Sequence, residues 1–238
     1  GLREPSLRYL GFGTQFVDAD LDGRLDVLVA NGNIDDTGAN SPHYQMPAQF
    51  YWNAGGAKFR ELEASGWGGY FAEPHLGRAL AVVDWNRDGL EDAVVSHLDE
   101  NVALLTNRTR GAGQALAVSC SGVHCSRDAF GTTVTVRAGA QRLVRQLTAG
   151  SGYQCSNERR LVFGLGEATV ADELKIRWPS GHEQIFHNVP TGHHYLAIET
   201  RPTLFSMPPL NVSTFTKTAA LGPQLPVPVD EPRRMNGP

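Results

Sequence analysis

"DADLDGRLD", residues 18–26, sets carboxylates at Asp18, Asp20, Asp22 and Asp26, with Gly23 among them. Four negative charges so close together repel one another, and neither a strand nor a helix gains from the crowding. The spacing is instead that of an oxygen cage for a hard dication. Positions one, three and five supply side-chain oxygens, glycine at six permits a sharp turn, and the main-chain carbonyl at seven (Arg24) and the carboxylate at nine complete the set. The frame returns at residues 84–92 as "DWNRDGLED", with Asp84, Asn86, Asp88, Gly89, the carbonyl of Leu90, and Asp92.

Asp, Asn and Gly also make ordinary turns. Two loops in one frame, each followed by an apolar β-type run, favour metal binding, and two Ca2+ sites are expected. An EF-hand would add a bidentate Glu at position twelve and a helix on either side. Here position twelve is Val29 or Val95, so the scaffold reads as strand–loop–strand. Glu91, at position eight, is expected to face solvent. Extracellular sites of this kind bind with dissociation constants of about 10⁻⁴ to 10⁻³ M. At ten times that constant each adds only ~1.4 kcal/mol, which suits a structural clip better than a switch.

The similarity extends beyond the loops. Gly11 and Gly77 each stand seven residues before the first Asp, and "GTQFVDADLDGRLDVLVANG" parallels "RALAVVDWNRDGLEDAVVSHL" at an offset of 66 residues, Asp18 to Asp84. A period this long implies a repeated supersecondary unit, and a β-propeller blade is the natural candidate. Between the loops, "QFYWNAGGAKFREL" (49–62) reads as a hairpin around a Gly-Gly turn, with "VALLTNRT" at the equivalent point of the second copy. Glycine and proline turns also separate short β-rich runs further on, such as "TTVTVRAG", "RRLVFGLG" and "ELKIRWPSG". The fold class is all-β.

At these residues the chain resembles VCBS/FG-GAP repeats, the calcium-binding units of integrin-type β-propellers. The region C-terminal to the repeats is similar to the ASPIC/UnbV domain, through "SRDAFGTTVTVRAG", "RQLTAGSGY", "RRLVFGLGEATVADELKIRWPSG" and "HNVP". The order of the two resembles the cartilage acidic protein-like family in its bacterial type, over about residues 8–200. The resemblance implies a secreted, periplasmic or cell-surface protein without established catalysis, and it places Asp18, Asp20, Asp22, Asp26, Asp84, Asn86, Asp88 and Asp92 at the family's calcium positions. Family propellers are expected to have about seven blades, whereas this chain holds material for two. Two blades cannot close a ring and leave open strand edges. A fragment, a cleaved subunit or a chain whose blades complete a partner's sheet is therefore expected.

Three parts are predicted: two calcium-binding repeats forming a partial propeller over 1–110, an ASPIC/UnbV β-sandwich over 111–200, and a Pro-rich extended tail over 201–238. Core candidates in the sandwich are Val134, Val136, Leu143, Val144, Leu161, Val162, Leu174, Ile176 and Trp178. Of the three cysteines, Cys125 and Cys155 are expected to pair, with Cys120–Cys125 as second choice; an exported protein would favour a bridge. Eight of the 14 prolines fall in the tail, which is expected to lie along another subunit. Asn107 and Asn211 fit the glycosylation sequon.

Composition narrows the function classes. Hydrophobic residues at 41% and charged residues at 19% are ordinary for a globular protein. A net charge of -4 offers no basic face for nucleic acid. No apolar run approaches the ~20 residues of a membrane span. The first residue is Gly1, so export cannot be read from a leader. No G-x-S-x-G, H-E-x-x-H or phosphate-cradling loop occurs. Adjacent His193 and His194 point to opposite faces of a strand, Asp35-Asp36 sits in a Gly/Asn-rich loop, and His75 reads as a packed loop residue. No enzyme activity is expected. The reading is a calcium-stabilised adhesion or assembly module that engages other protein chains or the remaining blades. The alternative is a carbohydrate-binding or carbohydrate-acting propeller, with a glycan on an aromatic platform supplied by Trp52, Trp67 and Tyr70.

Overall fold

A computed structural model describes residues 2–36, 44–56, 58–63 and 69–208. Four open sheets make up almost all of the regular structure. After a one-turn helix, α1 (Arg3–Ser6), strands β1 (Gly11–Val17), β2 (Asp26–Asn31), β3 (Gln49–Asn53) and β4 (Phe59–Glu61) form one antiparallel sheet in chain order. A second short helix, α2 (Gly69–Ala72), precedes a three-stranded sheet of β5 (Gly77–Val83), β6 (Asp92–His97) and β7 (Ala103–Leu105).

The 66-residue offset is kept in the pairing register. Val17 faces Asp26 as Val83 faces Asp92, and Gly11 faces Asn31 as Gly77 faces His97. Both hairpins shift register just after that glycine. Each acidic loop is therefore the connection of a hairpin, closed by its position-nine Asp. Alternation sends Gly13, Gln15 and Val17 of β1 inward and Thr14 and Phe16 outward. The two sheets share one apolar core that includes Val17, Leu28, Ala30, Phe50, Leu80, Val82 and Val95. A Cβ at Gly13 would lie 2.6 Å from that of Leu80, so the β1–β5 approach depends on the missing side chain.

The remaining strands are β8 (Gln114–Ser121), β9 (Thr133–Ala138), β10 (Gln141–Gln146), β11 (Leu161–Gly166), β12 (Val170–Arg177), β13 (Glu183–Pro190), β14 (His193–Ile198) and β15 (Leu204–Ser206). They form two sheets, β10-β9-β12-β13 and β11-β8-β14-β15, with β8 and β14 parallel. Their inner faces bury Val134, Val136, Leu174, Ile176 and Trp178 against Leu116, Val118, Phe163 and Tyr195. Leu143 and Leu161 pack at the edge of this core, and Val162 belongs to a separate small cluster with Leu21 and Ala117. Val144 is 41% exposed, which corrects the sequence reading. In β10 the side chains alternate, so Leu143 and Val144 cannot both face inward. Strand β15 carries this sheet into the segment read as tail; residues 209–238, including Asn211, lie outside the described residues.

The expected Cys125–Cys155 bridge is not formed, nor is Cys120–Cys125: all three thiols are free. Cys155 lies among the repeats, with its Sγ 3.0 Å from the Leu80 carbonyl oxygen. Cys125 belongs to the sandwich, with its Sγ 3.5 Å from Glu199 Oε2. Distinct partners hold them in different parts of the fold. Burial, with Cys125 nearby, pushes the Cys120 thiol up to about 12.

The "FGLG" stretch of β11 rests directly on the first acidic loop. A Cβ on Gly164 would collide with Asp18 Oδ2 and come within 2.5 Å of the Leu21 carbonyl carbon, while the Gly166 N–H donates to the Leu21 carbonyl at 2.9 Å. Gly164→Ala is therefore expected to cost about 2 kcal/mol or more in urea unfolding. Gly150→Ala, at a site with nothing within 4 Å, is expected to stay within about 0.5 kcal/mol.

Candidate metal centre

In the first loop, the carboxylate of Asp18 organises the turn. Its Oδ1 accepts from the Asp22 N–H at 3.0 Å and its Oδ2 from the Gly23 N–H at 2.9 Å. Leu21 and Gly23 take positive φ values of 57° and 92° to aim these amides inward. Asp22 accepts from the Arg24 N–H at 2.7 Å and pairs with the Arg24 guanidinium. Oxygens of Asp18, Asp20 and Asp22 gather within 4.8 Å of one another. Asp20 is 6% exposed. Its Oδ2 accepts from Trp52 Nε1 at 3.3 Å, whereas its Oδ1 is buried with no hydrogen-bond partner. A buried carboxylate oxygen left without a donor is costly. The trio thus presents an oxygen that a cation would satisfy.

Asp26, at position nine, is tied elsewhere. It accepts from the Ala19 N–H at 3.1 Å and the Asn53 N–H at 2.8 Å, which fastens β3 to the loop.

The second loop repeats the turn. Asp84 accepts from the Asp88 and Gly89 N–H groups, each at 3.1 Å, and Asp88 Oδ1 accepts from the Leu90 N–H at 2.9 Å. Arg87 and Gly89 have the positive φ of Leu21 and Gly23, and Asp92 accepts from the Trp85 and Asn107 N–H groups. The charge balance differs from the first loop. Arg160 donates to Asp84 Oδ2 at 2.6 Å, with both side chains almost fully buried, and Asn86 Nδ2 donates to Asp88 Oδ2 at 2.8 Å. Here an arginine from the sandwich supplies positive charge, and its neighbour Glu158 pairs with Arg87.

Several contributors come from outside the D-x-D-x-D-G frame. Glu91 does not face solvent as expected: its Oε2 accepts from the Asp18 N–H at 3.1 Å. Strand β10 contributes Arg145, whose charge is felt by Asp18 and Glu91 and whose Nη2 is buried without a hydrogen-bond partner. Asn107 is 6% exposed; it donates to the Ala19 carbonyl at 2.9 Å and accepts from Thr109. That placement corrects the sequon reading, because the folded chain has no room for a glycan there. Tyr70 is 2% exposed and Trp52 bonds to Asp20, so neither offers an open platform, and Trp67 lies outside the described residues. Beside the second loop, a cleft of about 660 Å³ runs to the sandwich, lined by residues that include Asp88, Gln114, His193, His194 and Met207.

Comparison with known families matches the FG-GAP-like repeat over residues 18–95 and the ASPIC and UnbV domain over residues 122–203. An open, repeat-built β-structure joined to a β-sandwich is the class the fold defines. The chain is an FG-GAP repeat protein with an UnbV domain. Repeats of this kind are typically extracellular. No helix among the described residues is long and apolar enough to cross a membrane. No curated protein matches the chain.

Burial drives the loop carboxylates up. Asp18 reaches about 8, with Asp22 and Glu91 adding to the burial, and Asp26 and Asp92 each reach about 7. Glu91 is also raised, chiefly by burial. Each folded carboxyl then binds its proton more tightly than the unfolded one. In chelator-treated protein, stability should fall as pH rises from about 5 to 8, because the folded state holds protons that the unfolded state has released. His194, lowered by burial and by Arg160, pulls the other way below its ordinary range, but it is one group against four. Thermal melts in a chelator series should show the decline, and excess Ca2+ should flatten it.

Proposed function

We propose that this chain is a non-catalytic, calcium-stabilised extracellular module for adhesion or assembly with other protein subunits. Its first loop would hold Ca2+ through Asp18, Asp20 and Asp22, with the Arg24 carbonyl and Asp26 nearby. The second would hold Ca2+ through Asp84, Asn86 and Asp88, with the Leu90 carbonyl and Asp92. The single observation that carries the calcium reading is Asp20 Oδ1, a buried carboxylate oxygen without a donor inside a trio of carboxylates. The first loop is the better site, since Arg160 already takes one oxygen of Asp84 in the second.

The open sheets support assembly. β7 is the last strand of its sheet, and beside it Leu98, Val102 and Leu104 are 60%, 63% and 38% exposed. An unpaired edge beside apolar side chains is a template for a further strand or a partner. One observation favours carbohydrate binding instead. The cleft beside the second loop falls within the ~300–1,000 Å³ of small-ligand sites.

Calorimetric titration of the chelator-treated chain with Ca2+ tests the reading. Saturable binding with a dissociation constant at or below about 1 mM is expected, and Asp20→Ala should remove the tighter step. Light scattering of the same samples should report association in Ca2+ that chelator reverses. A partner-free monomer indifferent to Ca2+ would defeat the assembly reading, and selective binding on a glycan array would favour the alternative.

A further inference from the structure

Away from both acidic loops, the second repeat gathers two imidazoles and a carboxylate. His75 stands just before β5, His97 ends β6, and Glu100 lies in the turn after that strand. Pairing of Gly77 with His97 brings the first two together, with ring centroids 5.3 Å apart. In the first repeat, the position equivalent to His97 is Asn31, whose amide bonds to Pro47 and Gln49. The second copy thus has an imidazole where the first has a structural amide.

The contacts with backbone carbonyls fix one proton on each ring. His75 Nε2 lies 3.0 Å from the Tyr70 carbonyl oxygen, and His97 Nδ1 lies 2.8 Å from the Asn101 carbonyl oxygen. A carbonyl only accepts, so those nitrogens carry the hydrogens. In the neutral rings His75 Nδ1 and His97 Nε2 keep lone pairs; the first faces Glu100, and the second faces the Tyr70 hydroxyl with Glu100 a little farther off. Its Oε1 is 2.7 Å from His75 Nδ1 and 4.0 Å from His97 Nε2. All three atoms lie within 4.8 Å of one another.

A proton can serve His75 and Glu100, and the Tyr70 hydroxyl can serve His97 Nε2, each pair separately. A metal ion serves all three. The backbone carbonyls that hold the second nitrogen of each ring are the outer support that metal-ligating histidines generally have. Calcium prefers oxygen cages, whereas two imidazoles and a carboxylate suit zinc with one position left for water.

We propose that His75 Nδ1, His97 Nε2 and Glu100 Oε1 bind a transition-metal ion, with Zn2+ as the natural occupant, and that the ion clips the segment before β5 to the end of β6. The His97 side chain is 1% exposed and that of Glu100 is 40% exposed, so the ion enters from the Glu100 side. The Tyr70 hydroxyl, 3.0 Å from His97 Nε2, donates to that lone pair and is the donor the ion displaces.

The test uses the full chain, stripped with chelator and then held in millimolar Ca2+ so that the acidic loops are supplied. Titration with Co2+ should raise a visible d–d band that saturates at one equivalent, lacks a sulfur-to-cobalt charge-transfer band, and is displaced by Zn2+. Glu100→Gln, at an exposed position, should weaken Zn2+ binding about tenfold or more, and His75→Gln should abolish the band. Circular dichroism confirms that each variant is folded. No d–d band, a thiolate charge-transfer band, or full-strength binding by both folded variants would overturn the proposal. Because Ca2+ is supplied throughout, a failure here leaves the calcium reading standing, and failure of that reading leaves this site untouched.

Discussion

Both repeat hairpin loops are shaped by placing carboxyl groups where water is scarce. Asp18, Asp26, Asp84 and Asp92 are each nearly inaccessible, and an isolated buried carboxylate is among the most expensive groups a protein can carry. The chain answers this in layers. Backbone amides of a turn with two positive-φ residues donate to the first Asp, and amides from the adjoining strand or loop donate to the ninth. Guanidinium groups from the sandwich then approach, Arg160 on the second loop and Arg145 near the first. At the first loop these donors stop short of Asp20 Oδ1. In the proposed reading, a dication would complete that balance with charge no hydrogen bond can supply.

The same demand explains why the repeats and the sandwich fit as one structure. A hairpin loop on the surface would leave its carboxylates in water and need no partner. Here β11 lies across the first loop so closely that Gly164 has no space for a methyl group. The Gly113 and Gly166 amides cap the Asp20 and Leu21 carbonyls. Asn157, Glu158 and Arg160, just before β11, bond to β5 and the second loop. Gly164 of "FGLG" is thus a contact residue, chosen for the closeness it permits, whereas Gly166 serves a backbone of positive φ. Glu199 performs a local version of the task inside the sandwich. Burial alone would raise it, but Ser180, the amides of Val123 and His124, and the Cys125 thiol hold it down to about 2.

The local grammar is legible from residues alone. Oxygen spacing marks the loops, the 66-residue offset marks two hairpins whose registers coincide, and alternation marks most of the sandwich core. The features that escape such a reading depend on neighbours far along the chain. Arg160 meets Asp84 across 76 residues, and Asn107 reaches Ala19 across 88. Glu91 reads as an outward position because the frame assigns it no ligand role, yet the packing of one loop on the other turns it toward the Asp18 amide. The cysteine pairing fails for the same reason: nearness to loop ends says nothing about which sheet each loop end approaches. His97, a single histidine at a strand end, carries no signal until Gly77 pairs with it and brings His75 alongside.

A hard dication that completes the charge balance of the first loop is the proposal on which the rest turns. Crystals grown in millimolar Ca2+, with diffraction recorded at a wavelength where calcium scatters anomalously, test it most directly. An anomalous peak is predicted within about 2.3–2.6 Å of oxygens from Asp18, Asp20 and Asp22. A first loop without such a peak, with Asp20 Oδ1 hydrogen-bonded to a protein donor or a water, would contradict it.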